Sequence, residues 1–232
     1  MILLNEERTK LKGRTFWISF LLVSVICVIC MIYVDRSVVL YIDNDLPVRI
    51  YRFFEVITRI GEAHIWIGAF TGIALLCYAI KRVSNSPSII NIMNDIMTKS
   101  LFPLASILFA GISLNIIKTF IGRLRPRYFL ADGSYGFQPF NLDTAMNSFP
   151  SGHSQAIWSI MTSLMILYPR YAIIFITVAV LVAASRFMIW AHFVSDVIMG
   201  SYFGFIISFI VYTWFVRRGY IENHRPNGSA RG

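Results

Sequence analysis

The 232-residue sequence predicts an all-α protein, a bundle of six transmembrane helices with one additional amphipathic helix lying at the membrane interface. Three observations lead there. Hydrophobic residues make up 56% of the chain and charged residues only 14%, whereas soluble domains carry about 25% charged residues. Predominantly apolar runs of 16 to 22 residues recur six times, and a hydrocarbon core of about 30 Å takes about 20 helical residues to cross. The 21 Lys and Arg gather at the ends of those runs instead of forming one stripe. The net charge of +9 therefore reads as membrane topology and not as a nucleic-acid footprint. A single domain, residues 1–232, accounts for the whole chain.

In chain order, Met1 to Arg14 is polar and basic. Thr15 to Val34 is the first span, 20 residues without a charge; it is longer than a signal-peptide core and lacks a small-residue cleavage site, so it is retained. Cys27 and Cys30 fall in this run and Cys77 in the next. They read as small buried hydrophobes, because Cys27-x-x-Cys30 lacks the strand and helix around a redox motif. Leu46 to Ile57 alternates apolar and polar residues at helical spacing, with Arg49 and Arg52 toward headgroups or water, as an interfacial helix requires. Ala63 to Ile80 is the second span, with His64 at its water-facing end.

Lys81 to Lys99 reads as a polar connector, and Ser100 to Ile117 as the third span. Lys118, Arg123, Arg125 and Arg127 then crowd around Pro126, and the loop runs through Asp132, Pro139 and Asp143 to Pro150. His153 to Tyr168 is the fourth span, closed by a Pro169-Arg170 turn, and Tyr171 to Trp190 is the fifth. Arg186 sits about one turn from the end of the fifth span, where a charge still needs a partner. Ser195 to Val216 is the sixth, with Asp196 in its first turn; the basic tail 217–232 is expected to be disordered. Asn227-Gly228-Ser229 in that tail matches a glycosylation acceptor by chance.

Counting Lys and Arg by side sets the orientation. The two termini, the second-to-third connector and the fourth-to-fifth turn hold 12 of them, against four on the other side once the clustered Lys118, Arg123, Arg125, Arg127 and Arg186 are set apart. Both termini are expected in the cytoplasm, with the Lys118 to His153 loop and the fifth-to-sixth loop on the opposite face, the periplasmic face of an inner membrane in a bacterium.

That face collects the chemistry. In Pro150-Ser151-Gly152-His153 the proline holds the incoming backbone extended, the serine caps a helix and the glycine admits a ligand close to the chain. The starting helix offers an anion its free amides and the positive end of its dipole, with His153 beside them as proton donor. His192 and Asp196 are four residues apart, one turn on one helix face. The carboxylate would accept the Nδ1 proton and leave Nε2 free to attack. Lys118, Arg125 and Arg186 would stabilise the charge on the oxygens of a transferring phosphoryl group. Arg123 and Arg127 are assigned to headgroup contact.

Lys118-x6-Arg125-Pro126, Pro150-Ser151-Gly152-His153 and Ser185-Arg186-x5-His192-x3-Asp196 together resemble the three-part signature of the type 2 phosphatidic acid phosphatase superfamily, also called lipid phosphate phosphatases. The resemblance covers Lys118 to Asp196 by motif and the six-span layout by architecture. It implies a metal-independent reaction through a phosphohistidine on His192, oriented by Asp196, with His153 as general acid. Lys118, Arg125, Arg186 and the Ser151-Gly152 backbone would hold the phosphate. The same signature occurs in vanadium haloperoxidases, which are soluble, so the spans argue against that branch.

The expected substrate is a membrane lipid with a terminal phosphate or diphosphate, such as phosphatidylglycerol phosphate, phosphatidate, a polyprenyl diphosphate or lipid A. A lipid-to-lipid phosphotransferase using the same histidine is the alternative. An anion channel or transporter would need its charges along a path across the bilayer, and these lie at one surface. No cofactor is expected. No metal is expected either, because His192-x3-Asp196 supplies two ligands and the neighbouring cations repel a divalent ion.

Overall fold

The computed structural model describes residues 2–140 and 147–221, with side chains from Gly13 onward. Asp143 and the tail beyond residue 221, including Asn227-Gly228-Ser229, lie outside the described residues. The described chain is helical apart from loops and one isolated antiparallel bridge, Arg123 to Phe137.

Helix α1 (Ile2–Ile29) passes through a single π-helical turn, Cys30–Val34, into α2 (Asp35–Asp45). From Thr15 onward α1 is apolar on nearly all sides, and Trp17, Leu21, Leu22, Val28 and Ile29 are exposed, as befits a helix bathed in lipid on most sides. Helix α3 (Val48–Ile57) covers most of the stretch Leu46 to Ile57 expected to lie at the interface. It rests on the end of the fifth span, where the rings of Tyr51 and Trp190 lie 5.0 Å apart. A 3₁₀ turn, Thr58–Gly61, leads into α4 (Ala63–Val83).

Helix α5 (Pro87–Ile121) is 35 residues long and absorbs most of the expected polar connector. Ser86 in extended conformation followed by Pro87 at the first helical position is a helix start, so the polar residues up to Lys99 form its first turns. The short α6 (Pro126–Asp132) follows, then α7 (Gly152–Leu167), the 3₁₀ turn Pro169–Tyr171, α8 (Ala172–Met188) and α9 (Val194–Arg217).

Five stretches among the described residues are long and apolar enough to cross a membrane, Gly13–Asp45, Val48–Val83, Pro87–Ile121, Pro169–Met188 and Val194–Arg217. The protein is an integral membrane protein. The fourth expected span, α7, has 16 residues, about 24 Å at 1.5 Å per residue. It is the centre of the bundle, its Ile157, Ile160 and Met161 packed against Ile107 of α5 and Ala179 and Val182 of α8.

The tightest contact is between α7 and α9. A Cβ at Gly200 would lie 2.3 Å from the Ser151 carbonyl oxygen, and one at Gly204 would lie 2.4 Å from that of Gln155. Ser208, one turn further, donates to the Ser159 carbonyl at 3.1 Å. Small residues at four-residue spacing let two membrane helices meet backbone to backbone. This closeness brings Ser151 N within 2.9 Å of the Asp196 carbonyl and joins the starts of the two helices. Gly204→Val is therefore expected to push α7 and α9 apart, costing about 2 kcal/mol by overpacking. Thermal unfolding in detergent micelles should show it, while Gly72→Ala on α4, with nothing within 4 Å of the added Cβ, should leave the midpoint unchanged.

Candidate active site

All eight residues singled out in the sequence meet at one end of this bundle. Lys118 comes from the last turn of α5, Arg125 from the residue before α6, Ser151, Gly152 and His153 from the start of α7. Arg186 comes from the last turn of α8, His192 from the loop that follows, and Asp196 from the first turn of α9.

The loop between α5 and α7 is held by its glycine. Gly122 ends α5 at φ +57, with its N–H on the Lys118 carbonyl at 2.9 Å, and a Cβ there would lie 1.8 Å from the Gln138 carbonyl oxygen. Only glycine fits a left-handed position with that neighbour. Gln138 N donates back to the Gly122 carbonyl at 2.6 Å and Ser148 N donates to the Arg123 carbonyl at 2.8 Å. The chain is thereby returned beside α5 before it enters the Phe149-Pro150 turn.

Ser151 caps α7 as expected, its hydroxyl accepting from Ser154 N at 3.4 Å and also from Ser154 Oγ at 2.9 Å. The first-turn amides of such a helix have no partner within it. Three cations stand around that helix start. Lys118 Nζ donates to the Asn147 carbonyl at 2.8 Å, Arg125 Nη1 to the Ala191 carbonyl at 3.3 Å, and Arg186 Nη1 to Thr58 Oγ1 at 2.5 Å. Arg186 Nε is buried and has no acceptor among the described residues. Burial, and then the charge of Arg127, pull the Arg125 guanidinium below its ordinary range.

The geometry of the histidine–aspartate pair departs from the expectation. His192 does not lie on a helix: α9 begins at Val194, and Phe193 is extended. The four-residue spacing works because Asp196 folds back to cap the helix, Oδ2 accepting from Phe193 N at 2.8 Å. Nor is the contact direct. His192 Nδ1 lies 3.7 Å from Asp196 Oδ2, beyond hydrogen-bond reach. Ser148 fills the gap, its hydroxyl 3.3 Å from His192 Nδ1 and donating to Asp196 Oδ2 at 2.5 Å. Ser148 has no assigned role in the sequence reading.

His192 is 2% exposed. Burial first, and then the surrounding Lys118, Arg186 and Arg125 charges, hold its imidazole well below the ordinary 6.5, against the opposing pull of Asp196. A depressed value keeps the ring neutral, and Nε2 able to attack, as pH falls through 6.5. It also means that the stability this ring contributes is complete above 6.5 and is lost as pH drops toward the folded-state value. The ¹⁵N resonances of the His192 ring are expected to report a neutral imidazole still at pH 5.5; a midpoint at or above 6.5 would contradict the buried setting.

Arg123 also departs from expectation. It was assigned to headgroup contact, yet it is 1% exposed and sits between Asp35 and Asp196, both fully buried. Burial alone would lower its guanidinium, but Asp196 and Asp35 outweigh it and hold the group above its ordinary range. Arg127, by contrast, is exposed.

A cavity of about 690 Å³ opens from this cluster between α4, α5 and α7. Lys118, Gly152 and His153 line one end, Glu62, His64 and Asn115 stand beside them, and the remainder is largely apolar, with Ile67, Ile107, Leu108 and Ile112.

Comparison with known proteins bears on the family and the fold. The chain is 37% identical over 123 residues to lipid A 1-phosphatases of Rhizobium johnstonii and Rhizobium etli, a match over 53% of this chain. The chain spans about half the length of these curated relatives, 50% and 53% respectively. In fold it resembles the transmembrane PAP2 type phosphatidylglycerolphosphate phosphatase of Bacillus subtilis, with a TM-score of 0.62, 19% identity, and coverage of 89% of this chain and 96% of that one. The PAP2 superfamily profile matches residues 99–220, more than half of the chain and all eight residues of the site, and the protein belongs to that superfamily.

Proposed function

We propose that the protein is a membrane phosphatase that removes a terminal phosphate from a lipid through a phosphohistidine on His192. What supports this most is the convergence of three cations, two histidines and a helix start, of which Lys118, Gly152 and His153 line one end of a largely apolar cavity. The phosphate would rest on the first amides of α7 among Lys118, Arg125 and Arg186, where charge developing on its oxygens is stabilised. His192 Nε2 attacks phosphorus, the bond to the leaving oxygen breaks, and His153 gives that oxygen its proton. Water then attacks the phosphohistidine with His153 as base, releasing inorganic phosphate and the free imidazole. Ser148 links the Nδ1 side of the ring to Asp196, which keeps Nε2 as the free nitrogen.

The acyl or prenyl chains would occupy the apolar part of the cavity. Glu62, His64 and Asn115 place hydrogen-bonding groups beside the phosphate position, which suits a hydroxyl-bearing headgroup and puts lipid A 1-phosphate first among the substrates. Purified protein given lipids labelled in the terminal phosphate (lipid A, phosphatidylglycerol phosphate, phosphatidate and a polyprenyl diphosphate) is expected to release free phosphate, with lipid A best and with EDTA without effect. Label passing into a second lipid would make the protein a phosphotransferase. No transfer from any of the four would overturn the reading.

The site is assigned to the face opposite the termini, the periplasmic face of a bacterial inner membrane. Single cysteines at exposed Ala131 and Asn85, in a chain lacking Cys27, Cys30 and Cys77, test this. An impermeant thiol reagent on spheroplasts should label Ala131→Cys and spare Asn85→Cys; the reverse pattern would reject the assignment.

A further inference from the structure

We infer that Asp35 and Arg123 are positioning residues for the reaction, a buried clamp through which the first membrane helix holds Asp196 in the orientation His192 needs. The inference rests on the proposed role of His192 and adds to it two residues that the three motifs do not specify, Asp35 outside them and Arg123 at an open position of the first.

Arg123 joins the two carboxylates. Its Nη2 donates to Asp35 Oδ2 at 2.8 Å and its Nη1 to Asp196 Oδ1 at 2.5 Å. Asp35 in turn grips the start of α9, accepting from Ser195 N on Oδ1 at 3.0 Å and from Ser195 Oγ on Oδ2 at 2.5 Å. Arg123 also donates to Ser195 Oγ at 2.7 Å and to the Tyr135 hydroxyl at 2.7 Å, and that hydroxyl donates to the Met31 carbonyl at 2.7 Å. Met31 lies in the π-helical turn that immediately precedes Asp35. A wide turn of this kind frees backbone carbonyls and re-aims the residues after it, and such turns concentrate at functional sites.

The two oxygens of Asp196 thus have separate duties. Oδ1 is fixed by Arg123, while Oδ2 takes Ser148 Oγ and Phe193 N and faces His192. Fixing one oxygen sets the plane of the carboxylate and with it the position of Ser148. Charge points the same way. One guanidinium lies between two carboxylates, so the buried triad keeps one negative charge in excess beside a ring that becomes cationic as it takes the phosphoryl group. Asp35→Asn removes that excess and leaves Arg123 wholly on Asp196, drawing electron density from the oxygen that serves His192. A network that merely glued α1 to the bundle would not need its carboxylate on the same guanidinium as Asp196.

The test compares full-length wild type with Asp35→Asn and with the milder Ser195→Ala, which removes only the hydroxyl shared by Asp35 and Arg123. Turnover of a labelled lipid phosphate and the ¹⁵N resonances of His192 without substrate are measured on each. Asp35→Asn is expected to lower kcat about 10-fold, the usual effect of losing an outer-shell carboxylate, with KM within about twofold of wild type and with a shifted His192 Nδ1 resonance. Ser195→Ala should show the same pattern more weakly, and it carries the test alone if Asp35→Asn does not fold. Unchanged kcat and unchanged His192 resonances in an otherwise active protein would overturn the clamp and leave the phosphatase reading intact. Wild-type protein inactive on every lipid phosphate would overturn the phosphatase reading, and the resonances would still decide whether Asp35 reaches His192.

Discussion

Replacing His192 with alanine is expected to lower phosphate release by about 10⁴-fold or more, the scale seen when a catalytic nucleophile is removed, and to abolish trapping of labelled phosphate on the protein. His192 is enclosed, and His153, the other histidine of the site, belongs to the first turn of α7 on the cavity side, where the proposed mechanism uses it on the leaving oxygen. Rapid-quench experiments with labelled substrate separate the two. His153→Ala should slow formation of the phosphohistidine for poor leaving groups while leaving it trappable. Labelled phosphate still bound covalently to a His192→Ala chain would place the nucleophile elsewhere.

The second large effect is expected at Arg186. Arg186→Ala should lower kcat/KM by about 10²- to 10³-fold, as the loss of one preorganised donor to a developing oxyanion does, and should weaken inhibition by vanadate. The guanidinium is anchored by Thr58 Oγ1 through Nη1, so its remaining N–H groups are presented in a fixed plane. Arg186→Lys should recover only part of the activity, because an ammonium restores the charge and not the fork. Steady-state kinetics of the three proteins would show this, and full recovery by lysine would reduce Arg186 to a point charge.

The site was legible in the sequence where local rules govern it. Ser151 as cap, the glycine beside it, and the cations near helix ends all follow from backbone chemistry within a few residues. Arg123 was misread because a cation just past a span is ordinarily a headgroup anchor, and its burial is decided by Asp35, 88 residues away. A signal was present: Asp35 directly follows the 20-residue uncharged run, and a carboxylate at that depth asks for a partner. Ser148 was invisible for a similar reason, since it reaches Asp196 across 48 residues. The pairing of His192 with Asp196 was anticipated from a helical period that His192 does not obey. The polar start of α5 was read as a connector from its charge, although Ser86-Pro87 marks a helix beginning. For the span at α7, hydropathy measures only apolar length, whereas close packing on Gly200 and Gly204 lets a shorter helix sit enclosed at the centre.

The π-helical turn makes the first helix a matter of phase more than of spelling. Its lipid-facing residues, from Trp17 to Ile29, meet no protein over most of their surface and are interchangeable with other apolar side chains. The turn at Cys30–Val34 is different. Deleting one residue there would rotate everything after it by about 100° around the helix axis, carrying Asp35 out of reach of Arg123 while leaving composition and hydropathy nearly untouched. Apolar exchanges along the first helix are therefore expected to be tolerated, whereas a change in the count of residues through the turn is expected to carry its one buried acid away from the right side.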